Sequence, residues 1–133
     1  MITNRLQASL ASFALFLFFG IAASSFADSM KIAVAATGSE KTAAISEQAG
    51  RAPFFLFFDE SGHFLEAIKN PAQDMLGGAG RTTASFLAEK GATSIIAGNI
   101  GDKMEQALLD FHVEFKEKTG VAHDVVQAII QNH

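Results

Sequence analysis

Short, wholly apolar runs alternate with glycine-bounded polar stretches along most of this chain, and the spacing of the apolar positions changes from run to run. "KIAVAA", Lys31 to Ala36, is apolar on both faces and is stopped by Thr37-Gly38-Ser39, which predicts a buried first strand. Gly38 to Arg51 is small and polar and reads as a long loop with one helical turn. "PFFLFFD", Pro53 to Asp59, opens on a proline, which suits the first position of a strand. Its phenylalanines Phe54, Phe55, Phe57 and Phe58 are assigned to the core. "DESG", Asp59 to Gly62, predicts a hairpin turn, and "HFLEAIKN", His63 to Asn70, the returning strand. Asn70-Pro71 ends it, because a residue before proline avoids the helical region. A second loop follows, from Pro71 to Gly80.

Beyond Gly80 the apolar spacing becomes helical. Ala84, Leu87 and Ala88 share one face of a helix that begins at Arg81 and stops at Gly91. "TSIIAGNIG", Thr93 to Gly101, predicts a buried strand running into a glycine turn. Asp102 and Glu105 have the spacing of a capping box, and Met104, Ala107, Leu108 and Phe111 repeat at helical intervals. "HVEFKE", His112 to Glu117, alternates polar and apolar residues as a half-exposed edge strand does. Ala122, Val125, Val126, Ile129 and Ile130 define a last amphipathic helix. A hairpin followed by alternating elements implies an α/β domain, a mixed sheet covered by helices. In such sheets ligands sit where loops leave the carboxyl ends of strands. Three glycine-rich segments are placed to do this: Thr37 to Arg51, Asn70 to Gly80, and Gly98 to Asp102.

The first residues change the picture of the domain. Met1 to Gln7 is polar with one positive residue, Arg5, and Ala8 to Ala23 carries no charge. Ser25 and Ala27 then provide small residues before Asp28. That succession predicts a signal peptide over residues 1–27, cleaved on export to the periplasm or outside the cell. An uncleaved anchor is the rival, but a spanning helix needs about 20 apolar residues and this run is shorter. Residues 28–133 then form one domain. Of ten Lys+Arg only Arg5 lies in the leader, and none of fourteen Asp+Glu, so the domain carries a net charge of −5. An acidic domain without a basic stripe is excluded as a general nucleic-acid binder, and no membrane contact is expected after cleavage. The absence of cysteine excludes disulfides, thiolate metal sites and a cysteine nucleophile.

"GGAGRTTASFLAEKG", Gly77 to Gly91, has the look of a phosphate loop feeding a helix. A nucleotide P-loop needs Lys and Ser/Thr directly after its last glycine, and here Arg81, Thr82 and Thr83 follow Gly80. Arg51 and Arg81 suit oxyanions or act as loop clamps, with neither reading favoured. Gly77, Gly78 and Gly80 either cradle an anion or permit a tight turn. Asn70 and Asn99 read first as loop-orienting side chains, and Ser46 and Glu47 as ligands or helix caps. His63, His112, His123 and His133 lack the close helical pairing of a metal site.

Three segments, "MKIAVAATG", "SEQAGRAPFFLFFD" and "NPAQDMLGGAGRTTASFLAEKGATSIIAGNIG", resemble the dinitrogenase iron–molybdenum cofactor biosynthesis family, the NifX-like domain, from about Met30 to Ile130. The resemblance implies a three-layer ribonuclease-H-like motif with a mixed, about five-stranded sheet. It also implies non-catalytic proteins that bind or carry iron–molybdenum cofactor, its precursors or related clusters. Where the family commonly has His and Phe this chain has Gln48 and Ala49, and Gly77 and Gly78 stand where many members place a His before Gly-Ala-Gly. Candidate cofactor-binding residues are therefore Ser46, Glu47, Gln48, Arg51, Asn70, Gly77, Gly78, Gly80, Arg81 and Asn99, with no metal ligand assigned. The ligand expected is a metal cluster, iron–molybdenum or other, or a small oxyanion. The alternatives are an envelope interaction module that kept the fold and lost the ligand, and an oxyanion scavenger using Arg51 and Arg81. Catalysis is not expected: the first strand carries no acid for two-metal hydrolysis, and no Ser/His/Asp set stands in a recognisable context.

Overall fold

The computed structural model describes residues 29–132, so the leader assigned to residues 1–27 lies outside the described residues, as does His133. Five strands form one sheet: β1 (Lys31–Ala36), β2 (Phe54–Asp59), β3 (Phe64–Lys69), β4 (Ser94–Ala97) and β5 (Glu114–Glu117). Three helices join them: α1 (Ala79–Glu89), α2 (Asp102–Asp110) and α3 (Ala122–Gln131). The sheet order is β3-β2-β1-β4-β5, antiparallel from β3 to β1 and parallel from β1 to β5.

The aromatic run of β2 is buried on both faces because helices cover both. Phe55 and Phe57 pack with Ala33, Ala35, Ile95 and Ala97 beneath Ala84 and Leu87 of α1 and Ala107 and Leu108 of α2. Leu56 and Phe58 join Ile32, Val34 and Ile96 on the other face, beneath Ala122 and Val126 of α3. Size is matched across the strands: Ala33 opposes Phe57 and Ala35 opposes Phe55, so each ring fills space its small neighbour leaves. The result is the three-layer, ribonuclease-H-like architecture expected from the resemblance, with Phe54 only partly buried at the end of the run.

Strand direction decides what lies where. β1 and β4 are parallel, and two antiparallel steps make β3 run the same way as β1. The carboxyl ends of β1, β3, β4 and β5 therefore share one rim, and the β2–β3 hairpin occupies the other.

Several local expectations are corrected. α1 begins at Ala79, two residues before Arg81, so Gly80 is helical and Gly78 is the N-cap, with φ 73°. The capping box is not formed: Gly101 caps α2, and Asp102 is already helical, so its carboxylate makes no cap bond. Asp102 and Glu105 instead place negative charge in the first turn, where the helix dipole favours it. As expected, β4 ends at Ala97 and gives way to the irregular, glycine-bounded turn Gly98 to Gly101. The loop from Gly38 to Arg51 forms turns and isolated bridges, Ala36–Ile45 and Gln48–Asn99 among them, in place of a helical turn. The stop at Gly91 is as expected, with φ 80° and its N–H donated to the Ala88 carbonyl.

At the far rim, Asp59 Oδ1 accepts the backbone N–H groups of His63 and Ser61, each at 2.9 Å. The His63 bond is the main cause of an Asp59 carboxyl held below its ordinary range. A depressed acid contributes above its unfolded titration range and ceases to as pH falls through its folded value. An NMR titration should therefore find Asp59 protonating at lower pH than an ordinary Asp, with Ser61 and His63 amide exchange accelerating only there. In the core, Phe57→Ala should cost about 3–5 kcal/mol in urea unfolding. Leu65→Ser on the exposed face of β3 should stay within about 0.5 kcal/mol.

Candidate functional site

Three backbone segments meet at the shared rim because glycine stands at each point of contact. A Cβ on Gly98 would lie 2.8 Å from Glu47 Cα and 3.2 Å from the Ser46 carbonyl oxygen. One on Gly50 would meet Gly80 Cα at 3.3 Å, and one on Gly80 would meet Met104 Cβ at 3.1 Å. The loop after β1 thus leans on the end of β4 and on the first turn of α1, and α1 leans on α2. Backbone bonds fix the same approach: Ser46 N–H to Ala35 O at 2.8 Å, Gly98 N–H to Ser46 O at 2.9 Å, and Ala49 N–H to Asn99 O at 3.0 Å.

Between these segments lies an open cleft of about 570 Å³. Glu47 to Arg51 form one wall, Ala79 and Gly80 a second, and Asn99 to Met104 the third. The first turns of α1 and α2 both border it. The opening N–H groups of a helix have no intrahelical acceptor and carry roughly half a positive charge at the helix end. Arg51 and Lys103 are offset by Glu47 and Asp102, so the lining side chains are neutral in sum and the helix ends tip the cleft toward anions. Gly101, at φ 86°, turns the chain from β4 into α2 beside the cleft.

Of the residues expected from sequence, Glu47, Gln48, Arg51, Gly80 and Asn99 line this cleft. Ser46 stands behind the wall, donating its hydroxyl to the Gln48 carbonyl at 3.3 Å. Asn70 is buried beneath it: Nδ2 donates to the Gly50 carbonyl at 3.1 Å, and Oδ1 accepts the Ala72 N–H at 3.0 Å. Gly77 and Gly78 face open space, away from the cleft lining. Arg81 points along the outer side of α1, 3.6 Å from Asp110 and over the Phe111 ring. It lines a separate groove with Gly78, Ser85 and Phe86. The cause is the earlier helix start, which rotates position 81 out of the cleft. Arg51 acts in part as a clamp, donating to the Met75 carbonyl at 2.6 Å.

Sequence reasoning missed Ile100, Gly101, Lys103 and Met104, although the turn from strand to helix at Gly98–Asp102 marked where they would fall. It also missed two supports. Thr83, fully buried, donates to the same Gly50 carbonyl as Asn70 at 3.2 Å. Glu117, at the carboxyl end of β5, accepts the Ile100 N–H at 3.0 Å. The described histidines lie outside the cleft lining: His63 pairs with Asp59 in the hairpin, and His123 stands beside Phe58. Among the described residues no three His, Cys, Asp or Glu side chains gather as a metal site.

A mixed α/β sheet with a backbone-lined cleft at the carboxyl ends of its strands has the arrangement in which open α/β sheets hold ligands. The dinitrogenase iron-molybdenum cofactor family is matched over residues 30–132, and the chain belongs to that family. No curated protein matches it. Among solved structures it is similar to the apo form of the orange protein from Desulfovibrio gigas, at 27% identity and TM-score 0.74, over 80% of this chain and 91% of that one. A NifB-like protein from Thermotoga (TM1290), of the DUF35 family, is similar at 25% identity and TM-score 0.64, over 77% and 88%. PH0822 shares the fold, at 21% identity and TM-score 0.66, over 77% and 92%.

The glycine contacts make a sharp comparison. Gly98→Ala drives a methyl into backbone and should cost about 1–3 kcal/mol in chemical unfolding. Gly77→Ala, with open space around it, should leave the midpoint within about 0.5 kcal/mol.

Proposed function

We propose that this chain is a non-catalytic carrier of an anionic metal cluster, of the iron–molybdenum type or a related metal–sulfur or oxyanion species. The observation that carries the reading is the meeting of two helix N-termini and three loops around one cleft without thiolate or imidazole. Such a donor set does not suit direct ligation of bare iron, which favours thiolate and imidazole. It suits a guest that brings its own sulfide or oxide shell and presents negative charge to N–H donors. Membership of the family supports a cluster as the cargo. The similar orange protein from Desulfovibrio gigas has an apo form, which supports a cargo that can be loaded and removed.

Gln48, Arg51, Gly80, Asn99 and Lys103 are the residues we assign to the guest, with Glu47 and Asp102 at the rim limiting how much negative charge is accepted. Arg81, Gly77 and Gly78 are left out of this assignment. Export belongs to the same proposal: residues 1–27 carry the signal pattern, so the cargo would be loaded after translocation.

Metal analysis and visible absorption of protein purified from its native host test the reading. The expected sample contains iron or molybdenum and absorbs in the visible. Lys103→Glu, on the cleft surface, should keep the fold and lower occupancy about tenfold, ~1.4 kcal/mol. Colourless, metal-free protein whose melting temperature rises with molybdate or phosphate would move the cargo to a simple oxyanion. A melting temperature unmoved by either would contradict the carrier.

A further inference from the structure

The sheet has two edges, β3 and β5. Glu114 N–H bonds to Thr93 O at 3.0 Å and Lys118 N–H to Ala97 O at 2.9 Å, so the even-numbered residues direct their backbone groups toward β4. By the alternation of a strand, Phe115 and Glu117 direct theirs outward, away from the sheet, as does the Val113 carbonyl, while the Val113 N–H is donated to Leu108 O at 2.9 Å. Side chains alternate as well. Val113 and Phe115 pack on the face of α1 and α2, while Glu114 and Lys116 are exposed on the opposite face. Beside the edge a groove of about 450 Å³ is lined by Leu109, His112, Val113 and Phe115, with the flanks of Glu114 and Lys116. Leu109 is 59% exposed there, an apolar side chain at the end of α2.

We propose that a second copy of this chain pairs antiparallel along β5, with the two-fold axis through Phe115, so that two five-stranded sheets become one continuous sheet. Outward backbone groups can meet only in registers that pair Val113, Phe115 and Glu117 among themselves. Charge then chooses among these registers. With the axis at Phe115, Glu114 of each copy stands directly opposite Lys116 of the other, twice over. With the axis at Lys116, two lysines oppose each other, although Glu114 then meets Lys118 just beyond the strand; with the axis at Glu114, two glutamates oppose each other. Directly opposed side chains have Cβ atoms about 4.5–5.5 Å apart, where opposite charges stabilise the pair and like charges oppose it. Of these three registers only the one centred on Phe115 sets no like charges opposite each other, and an edge with such a self-pairing differs from one guarded by uniform charge. The apolar lining of the groove, with Leu109, is the surface the partner covers. The opposite edge, β3, carries a register shift against β2 at Phe57/Phe58, an irregularity that blunts edge pairing.

Sedimentation equilibrium of the purified protein tests this with a charge swap. The wild type is expected to form a concentration-dependent dimer. Glu114→Lys and Lys116→Glu should each weaken it about tenfold or more, since each sets like charges opposite each other at two symmetric places. The double variant Glu114→Lys/Lys116→Glu restores opposite charges in the same register and should return to within about threefold of wild type. Both side chains are exposed, and circular dichroism with a thermal melt checks that each variant is folded. A wild type that stays monomeric at millimolar concentration overturns the proposal. So does a dimer indifferent to the single swaps, or a double variant no tighter than the singles. Because Lys103 and the cleft are untouched, cargo binding can fail or succeed independently of this result.

Discussion

Backbone packed against backbone holds the functional rim of this protein together. At Gly98 the chain approaches itself too closely for a Cβ, and at Gly50 and Gly80 a Cβ would be crowded to 3.3 and 3.1 Å, so three segments distant in sequence share one small volume. The hydrogen bonds from Ser46, Gly98 and Ala49 register that approach, and the buried Asn70–Thr83 pair, both donating to the Gly50 carbonyl, braces it from below. Glycine matters here because it lacks a Cβ, not because it frees φ: Gly50, Gly80 and Gly98 all lie outside the left-handed region. The glycines that do adopt positive φ, such as Gly78 and Gly101, start the helices whose first turns face the cleft.

The sheet makes that meeting inevitable. A strand order with two antiparallel steps and two parallel ones turns the carboxyl ends of β1, β3, β4 and β5 to the same side. The loops leaving them have nowhere else to go, and helices α1 and α2 both begin there. Burial of both faces keeps the scaffold rigid: fully buried Phe55, Phe57 and Phe58 bring large apolar area to the centre of a chain with no disulfide. The cleft is then a place where N–H groups are abundant and strong metal ligands are not. That combination suits a guest recognised by charge and shape, the reading proposed for this cleft.

Much of the architecture was legible because its signals are local. Runs such as "KIAVAA" and "PFFLFFD", the Gly62 turn, the Gly91 stop and the helical spacing of Ala107 and Leu108 all report on near neighbours in sequence. The convergence of three loops could be inferred from strand ends. The side on which each residue would face could not, because that depends on where helices start. A two-residue shift in the beginning of α1 moved Arg81 from the expected cleft to a partnership with Asp110 and Phe111. In the same way, Gly101 displaced Asp102 from the cap and put Lys103 and Met104 into the lining. Glu117 escaped notice because its role depends on a contact across 17 residues, between β5 and the loop beyond β4.

Hydrogen exchange read by mass spectrometry, on protein isolated loaded from its native host and on the same protein stripped of its ligand, tests the central claim most directly. Loading should slow exchange in residues 47–51, 79–82 and 99–104, with little change in the β2–β3 hairpin or α3. Protection confined to the outer groove around Arg81 and Phe111, or spread evenly over the sheet, would contradict a guest held where the three loops meet.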